Sequence, residues 1–261
     1  MTADKQDARL EIPMDRFDAA IFDLDGVITD TASVHGAAWR RTFDQWLANR
    51  AHSEGEDHRP FSEDDYFRCV DGKPRYDGVR SFLASRGISL PPGQPSDPPT
   101  SETVCGLGNR KDELFLALLR EGGVTSFPSS IELLRRLRAS GSRTAIISAS
   151  RNCVQVLEAA GIAELFDAKV DGVDADALGL KGKPDPAIFL EAASRLGVEP
   201  ARAAVVEDAL AGVEAAHRGR FGLVIGIDRG GHGEALQQCG ADVVVSDLSA
   251  VSLSSTEHDG Q

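Results

Sequence analysis

The strongest constraint on the fold is the apolar run at residues 19–22, which is followed directly by Asp-Leu-Asp-Gly at 23–26. A short apolar run that ends in a turn signal is typical of a buried strand in a parallel sheet. Side chains alternate along a strand, so Asp23 and Asp25 face one side while Leu24 packs on the other. Ligands bind at the carboxyl ends of such strands, where one carboxylate can act as a nucleophile or metal ligand and the other as a general acid/base. The alternative is an acidic turn without function, because Asp and Gly are common turn residues.

The second half of the chain alternates between strand-like and helix-length segments. Ser130 is predicted to cap a helix that ends at Gly141, and the polar tail from Ser252 is predicted to fray. Four further apolar runs read as strands, at 144–148, 204–206, 223–227 and 243–245. This alternation predicts an α/β fold, a doubly wound, Rossmann-like parallel sheet with helices on both faces.

Residues 32–124 contain helical patterns and no convincing strand. Trp39, Phe43 and Trp46 fall on one helical face, which favours packing inside this segment over a ligand-stacking surface. The proline-rich stretch 90–99 cannot be helical and reads as an exposed loop. The pattern therefore predicts a helical cap at 32–124, inserted after the first strand of a core formed by 1–31 and 125–261. An insert beside a reactive sheet edge is a natural lid.

Charge and composition exclude several classes of partner. The chain has 28 Lys and Arg against 41 Asp and Glu, a net charge of −13, which disfavours nucleic acid and anionic membranes. No apolar run is long enough to span a membrane and the first residues are polar, so we expect a cytoplasmic protein. The cysteines are far apart and show no metal-type spacing, which predicts buried free thiols at Cys69, Cys105, Cys153 and Cys239.

Two later segments carry polar residues suited to an anion. Ser148 ends a predicted strand just before a helix, whose N-terminal amides can receive a phosphate; alternatively, Ser148 or Ser150 only caps that helix. Lys183 lies where a helix begins, a place that the helix dipole makes unfavourable for a cation, so a negative group should compensate it. The alternative is a solvated surface lysine.

Glu207 and Asp208 end another predicted strand. If both met Asp23, their mutual repulsion would raise at least one pKa unless a cation were present. Mg²⁺ prefers a few carboxylates together with phosphate and water oxygens, and fits this set better than calcium or a metal that prefers His and Cys. An acidic helix N-terminus is the alternative for the pair.

Four segments together resemble the four motifs of the haloacid dehalogenase superfamily of phosphotransferases, over residues 18 to about 247. They read Phe-Asp-Leu-Asp-Gly-Val-Ile-Thr-Asp-Thr at 22–31, Ser-Ala-Ser-Arg-Asn at 148–152, Gly-Lys-Pro-Asp-Pro at 182–186 and Glu-Asp-Ala-Leu-Ala-Gly at 207–212. Within the superfamily they resemble the β-phosphoglucomutase group most closely.

The resemblance implies a role for each polar strand end. Asp23 would be the nucleophile that becomes an aspartyl phosphate, and Asp25 the general acid/base. Mg²⁺ would be held by Asp23, the backbone carbonyl of Asp25 and Asp208, with Glu207 beside it. The residues implied to bind the phosphoryl group or lie next to it are Ser148, Ala149, Ser150, Arg151, Asn152 and Lys183.

The cap contributes further positions by the same resemblance. Val-Asp-Gly-Lys-Pro-Arg at 70–75 is similar to the substrate-specificity loop of the group, with Arg75 at its phosphate-binding arginine. Thr31 and His35 match hinge positions that couple substrate binding to the acid/base residue. Two departures stand out, because Asp71 and Arg151 each occupy a place where some members carry lysine. The predicted cap-loop contacts are Gly72, Lys73 and Arg75. Either Lys73 replaces the charge missing at Asp71, or the substrate preference differs from that of the known mutases.

The resemblance implies a β-phosphoglucomutase that interconverts β-D-glucose 1-phosphate and glucose 6-phosphate through glucose 1,6-bisphosphate. It implies Mg²⁺ as cofactor and a small phosphorylated sugar as substrate, and we expect a monomer. A sugar-phosphate phosphatase with the same core stays open, since water can replace the sugar hydroxyl as acceptor. A non-catalytic sugar-phosphate sensor is disfavoured because every catalytic position is present.

Overall fold

The structure, a computed structural model, describes residues 10–13, 16–51 and 53–254. The strands are β1 Leu10–Pro13, β2 Ala19–Asp23, β3 Arg143–Ile147, β4 Ala168–Val170, β5 Ala203–Glu207, β6 Leu223–Ile227, β7 Val243–Val245 and β8 Val251–Ser254. The helices are α1 Thr31–Asn49, α2 Glu63–Asp65, α3 Arg75–Ser85, α4 Val104–Gly122, α5 Pro128–Ala139, α6 Cys153–Ala160, α7 Gly172–Leu178, α8 Ala187–Leu196, α9 Leu210–Arg218 and α10 Gly233–Gln238. A π-helical turn, Tyr66–Val70, continues α2.

Six parallel strands form the central sheet in the order β4-β3-β2-β5-β6-β7, and β1 pairs with β8 beside it. Successive residues of β2 enter opposite layers: Ala20 and Phe22 pack into one hydrophobic cluster, Ala19 and Ile21 into another. Apolar layers on both faces explain why the strand reads as an unbroken apolar run. The predicted α/β doubly wound fold is confirmed, and β2 lies at its centre.

Several local predictions need correction. Ser130 does not cap a helix, because α5 begins at Pro128, which suits a first helical position. The Ser130 hydroxyl instead donates to the Val27 carbonyl at 2.6 Å. The tail does not fray at Ser252, since residues 251–254 form β8; residues 255–261 lie outside the described part.

Between β2 and β3 the described residues form helices joined by loops and no strand. Trp39, Phe43 and Trp46 are buried in a hydrophobic cluster of its own, where the Phe43 and Phe82 rings stack at 3.9 Å. This confirms the aromatic stripe as interior packing, and residues 90–99 form a loop as predicted. We propose that 32–124 is a cap domain on a core of 1–31 and 125–261.

The thiols and helices of the described residues fit two further expectations. All four cysteines are free thiols; Cys69, Cys105 and Cys153 are buried, and Cys239 is half-buried. Among the helices of residues 10–13, 16–51 and 53–254, none is both long and apolar enough to cross a membrane.

Candidate active site

The polar strand ends meet at one edge of the sheet. Asp23 ends β2, Ser148 follows β3 on one side, and Glu207 ends β5 on the other. Lys183 reaches the same place from the connection between α7 and α8. A cavity of about 500 Å³ opens here, within the range of small-molecule sites.

The cavity brings together most of the predicted site residues. Those that line it are Asp23, Asp25, His35, Gly72, Lys73, Arg75, Ala149, Ser150, Arg151, Lys183 and Asp208. The other four, Thr31, Ser148, Asn152 and Glu207, lie behind this lining and hydrogen-bond to residues in it.

Lys183 is buried between two carboxylates. Its ammonium donates to Asp23 Oδ1 at 2.6 Å and to Glu207 Oε1. Glu207 Oε2 accepts the backbone amides of Asp208 and Ala209 at 2.7 and 2.8 Å. Lys183 is only 4% exposed and is therefore not a solvated surface lysine. The compensating negative groups expected from its position are Asp23 and Glu207.

Three carboxylates converge as a divalent cation would require. Oxygens of Asp23, Glu207 and Asp208 all lie within 4.8 Å of one another. Burial raises the pKa of Asp23, and the charges of Glu207 and Asp25 add to this while Lys183 opposes it. Burial likewise raises the pKa of Asp208. A bound cation would lower both pKa values by stabilising the charged carboxylates, so the site suits a hard divalent ion such as Mg²⁺.

Gly26 leaves room for one of these carboxylates. It has φ +84°, and a Cβ there would lie 1.8 Å from Asp208 Oδ2. Any side chain at Gly26 would therefore push Asp208 out of the cluster.

The Asp25 carboxylate is held by two hydroxyl donors and lies beside an imidazole. Thr31 donates its hydroxyl to Oδ1, Ser148 donates to Oδ2 at 3.1 Å, and His35 Nε2 lies 3.5 Å from Oδ1. Burial alone would raise the pKa of Asp25, but the His35 charge and these hydrogen bonds lower it below its usual range. Asp25 is therefore held as a carboxylate with a fixed orientation.

The serines after β3 do not cap the following helix. Ser148 Oγ accepts the Ser150 amide at 3.0 Å, and Ser150 Oγ accepts the Asn152 amide at 3.1 Å. Helix α6 begins at Cys153, and Asn152 is its N-cap residue without a side-chain capping bond. The two serine hydroxyls therefore stabilise the turn after β3, in which Ser148 lies within hydrogen-bond distance of Asp25.

Lys111 is a buried site residue that the sequence analysis missed. Its ammonium bonds to His35 Nδ1 and lies 4.8 and 5.1 Å from the ring centres of Phe115 and Trp39. Burial lowers the pKa of Lys111 to about 7, and the Arg75 charge adds to this. Burial and the Lys111 charge also lower the pKa of His35, and the Asp25 charge opposes them. A signal exists in the sequence, because Lys111 interrupts an apolar stripe of α4 at four-residue spacing, formed by Leu107, Phe115 and Leu119.

We expect Lys111→Met to stabilise the protein, and more so at low pH. Below pH 7 the lysine is charged in both states and the fold bears its full burial cost. Between pH 7 and 10.5 the folded state holds the neutral amine, so the cost shrinks and vanishes above 10.5. Chemical denaturation should give a gain in unfolding free energy of roughly 2–4 kcal/mol at pH 6 that declines toward pH 10. Lys181→Met, at an exposed lysine on the same cavity, is the control and should change little. A pH-independent difference would contradict the depressed pKa.

The cap loop enters the cavity beside the core. Gly72 has φ +65°, and a Cβ there would approach Ala209 Cβ to 2.9 Å. Burial raises the pKa of Asp71 to about 7, and the Glu207 charge adds to this. Lys73 donates to the Arg68 carbonyl at 2.8 Å and to Ser81 Oγ at 3.1 Å. The Lys73 ammonium thus bonds to two neutral acceptors of the cap, and its replacement of the charge missing at Asp71 stays a prediction.

Arg75 is held by two side chains that the sequence analysis also missed. Its Nη1 donates to Asn109 Oδ1 at 3.2 Å and to Asp112 Oδ2 at 3.1 Å. Asp112 Oδ1 in turn accepts Asn152 Nδ2 at 2.9 Å, across the boundary between cap and core. Arg151 pairs with the exposed Asp176 at the rim.

Asn109 also hydrogen-bonds to the proline-rich loop at 90–99. Its Nδ2 donates to the carbonyls of Pro95 and Asp97 at 3.1 and 2.8 Å. The loop is therefore tied to the residue that positions Arg75, and it is more than exposed surface.

Comparisons with known proteins agree with this arrangement. The model of a family described as haloacid dehalogenase-like hydrolase matches residues 17–220. A Mycobacterium bovis protein named Beta-phosphoglucomutase is 49% identical over 234 residues, which cover 88% of this chain and 89% of the relative. A Bacillus subtilis protein of the same name is 32% identical over 236 residues, covering 90% and 92%.

A solved structure extends the likeness to the fold. The crystal structure of β-phosphoglucomutase from Clostridium difficile superposes with a TM-score of 0.69 at 27% identity, covering 89% of this chain and 92% of that one. The family match, the relatives and the shared fold together establish that this chain belongs to the haloacid dehalogenase-like hydrolase family, in its β-phosphoglucomutase-like group.

Proposed function

We propose that this protein is a magnesium-dependent β-phosphoglucomutase, which interconverts β-D-glucose 1-phosphate and glucose 6-phosphate through glucose 1,6-bisphosphate. The observation that carries the proposal is the position of Arg75 on the same cavity as Asp23 and Asp25. A mutase must hold one phosphate at the nucleophile and a second at the far end of the sugar. A guanidinium fork suits the second task.

In this mechanism Asp23 is the phosphate carrier. An Asp23 carboxylate oxygen attacks the phosphorus of the bisphosphate, the bond to the sugar oxygen breaks, and an aspartyl phosphate forms. Glucose 6-phosphate leaves, and the 6-hydroxyl of an incoming β-glucose 1-phosphate attacks the phosphorus of the aspartyl phosphate, which restores the carboxylate and forms the bisphosphate again. The bisphosphate then turns round, so that its 1-phosphate faces Asp23 for the next transfer. Lys183, 2.6 Å from Asp23 Oδ1, holds the nucleophile and offsets charge on the transferring oxygens.

Asp25 moves the proton in both directions. As a carboxylate it accepts the proton of the attacking sugar hydroxyl, and as an acid it returns that proton to the leaving oxygen. The Thr31, Ser148 and His35 contacts fix its orientation. When bound by Asp23, Asp208 and the Asp25 carbonyl, with Glu207 beside it, Mg²⁺ would neutralise charge on the phosphoryl group.

The proposal is tested by following two products at once. The protein is incubated with Mg²⁺, β-glucose 1-phosphate and a catalytic amount of glucose 1,6-bisphosphate, while glucose 6-phosphate and inorganic phosphate are measured together. We expect glucose 6-phosphate in large excess over phosphate. Stoichiometric phosphate without isomerisation would identify a sugar-phosphate phosphatase instead.

Arg75→Ala should separate the two phosphate sites. We expect kcat/KM with the bisphosphate to fall by about 10²-fold, whereas hydrolysis of a small ester such as p-nitrophenyl phosphate changes less than about threefold. Arg80→Ala is the control, because Arg80 also lines the cavity but is exposed and pairs with Asp77 on its own helix. Equal losses on both substrates would argue against a grip on the second phosphate.

A further inference from the structure

The side chain of Asp112 occupies an unusual position between the two domains. Its two oxygens bond to different partners: Oδ2 to Arg75 Nη1 of the cap at 3.1 Å, and Oδ1 to Asn152 Nδ2 of the core at 2.9 Å. Asp112 lines the cavity and its side chain is 23% exposed. It is thus an anion at the cavity wall, bound by one cation and one amide.

We propose that the Asp112 carboxylate is a resident anion of the second phosphate site: it holds Arg75 and Asn152 in the free protein and competes with the incoming phosphate. This inference rests on the proposed function, which assigns Arg75 to the second phosphate. A carboxylate and a phosphate can each accept hydrogen bonds from a guanidinium group through two oxygens, so both compete for Arg75.

The competition lowers the affinity of the site for the phosphate. A phosphate that binds Arg75 must share Nη1 with Asp112 or displace it, and in either case lies a few ångströms from a negative charge. Charges at that separation interact strongly in a partly buried site. Lys111 offsets only part of this repulsion, since its charge interacts with Asp112 while its ammonium bonds to His35 Nδ1.

The same contact closes the lid before the ligand arrives. The bond between Asp112 and Asn152 joins α4 to the N-terminus of α6, and therefore joins cap to core without a sugar phosphate. A ligand with a second phosphate replaces this bond with its own, whereas a ligand without one leaves it in place. The residue thus sets how strongly the site favours bisphosphate over monophosphate.

The test is the affinity of Asp112→Asn, which keeps the size of the side chain and one acceptor oxygen but removes the charge. The protein with Asp112 and the Asp112→Asn variant are compared, and both also carry Asp23→Asn so that the ligand binds without turnover. Calorimetry with Mg²⁺ measures the Kd of glucose 1,6-bisphosphate and, separately, of inorganic phosphate. We expect Asp112→Asn to bind the bisphosphate about tenfold more tightly.

Two controls make the result specific. Asp77→Asn removes an acidic group that also lines the cavity but pairs with the exposed Arg80 on its own helix, and should change the Kd less than twofold. When Arg75→Ala is added, the difference between Asp112 and Asn at this position should disappear, because the shared cation is gone.

Unchanged or weaker binding by Asp112→Asn would overturn the inference and leave Asp112 as a positioning residue for Arg75. Absence of binding by both proteins would overturn it as well. If Asp112→Asn tightens binding in the Asp23→Asn background but the natural sequence fails the isomerisation assay, the resident anion is sustained and the mutase is refuted.

Discussion

Asp23→Asn should abolish isomerisation and phosphate release alike. An amide cannot form an acyl phosphate under these conditions, so the variant loses the step common to mutase and phosphatase. We expect kcat to fall by at least about 10³-fold with either acceptor. The measurement is the two-product assay with β-glucose 1-phosphate, supplemented by acid quench of enzyme mixed with labelled bisphosphate, which should trap no phosphoenzyme.

The fold should survive this change. The Asp25 amide donates to Asp23 Oδ2 at 2.9 Å, and an asparagine oxygen can accept the same bond. Asp18→Asn is the matched control, because Asp18 precedes the same strand at its opposite end and pairs with Arg202 at the surface. It should keep full activity. Substantial turnover by Asp23→Asn would refute a covalent mechanism.

The sequence predicts the strand ends because a short local pattern of residues marks each of them. An apolar run followed by polar residues marks where a buried strand leaves the sheet, and parallel strands bring all such ends to one edge. Asp23, Ser148 and Glu207 meet for this reason. Lys183 needs one more argument, since a cation at a helix start implies an anion nearby.

The residues that the sequence did not predict depend on how distant segments dock. Asn109, Lys111 and Asp112 lie within one turn of α4, and only the packing of α4 against α1 and the core decides which of them faces the cavity. Ser130 is similar, because its partner is a carbonyl 103 residues earlier in the chain. Strand β4 was missed because Lys169 interrupts its three residues, whereas the equally short β7 is all valine.

The alternatives posed by single motifs are decided by burial. A surface lysine and a buried lysine have the same local sequence, but Lys183 lies beneath the cavity between two carboxylates. The aromatic stripe of α1 is equally ambiguous until Phe82 is found stacked on Phe43. The periodicity of apolar residues predicts which face of a helix is buried, but it does not identify the residues that pack against that face.

Lys183→Met should cost both stability and activity. The variant leaves Asp23 and Glu207 buried without their cation, and removing one partner of a buried ion pair costs about 3–5 kcal/mol. It also removes the cation at the transferring phosphoryl group, so we expect kcat/KM to fall by at least about 10³-fold. Urea unfolding at pH 7 without Mg²⁺ measures the first effect and the two-product assay the second.

The stability loss should depend on pH in a direction that identifies its cause. Lys183 lowers the pKa of Asp23, which burial raises above its ordinary value of 3.8. Without the lysine this pKa rises further, so the folded variant keeps a proton that the unfolded chain has released. A group whose folded pKa is raised loses stability as pH rises through that range. The deficit against the natural sequence should therefore be small near pH 4 and grow toward pH 7.

Mg²⁺ should restore part of the stability. The ammonium and the metal ion both neutralise Asp23, so the variant should gain more unfolding free energy from Mg²⁺ than the natural sequence does. Lys169→Met is the matched control: Lys169 also bridges two aspartates, Asp171 and Asp174, but is about one-third exposed, and should lose only about 1 kcal/mol without altered activity. A deficit in Lys183→Met that neither pH nor Mg²⁺ changes would show that packing, and not charge, is what Lys183 supplies.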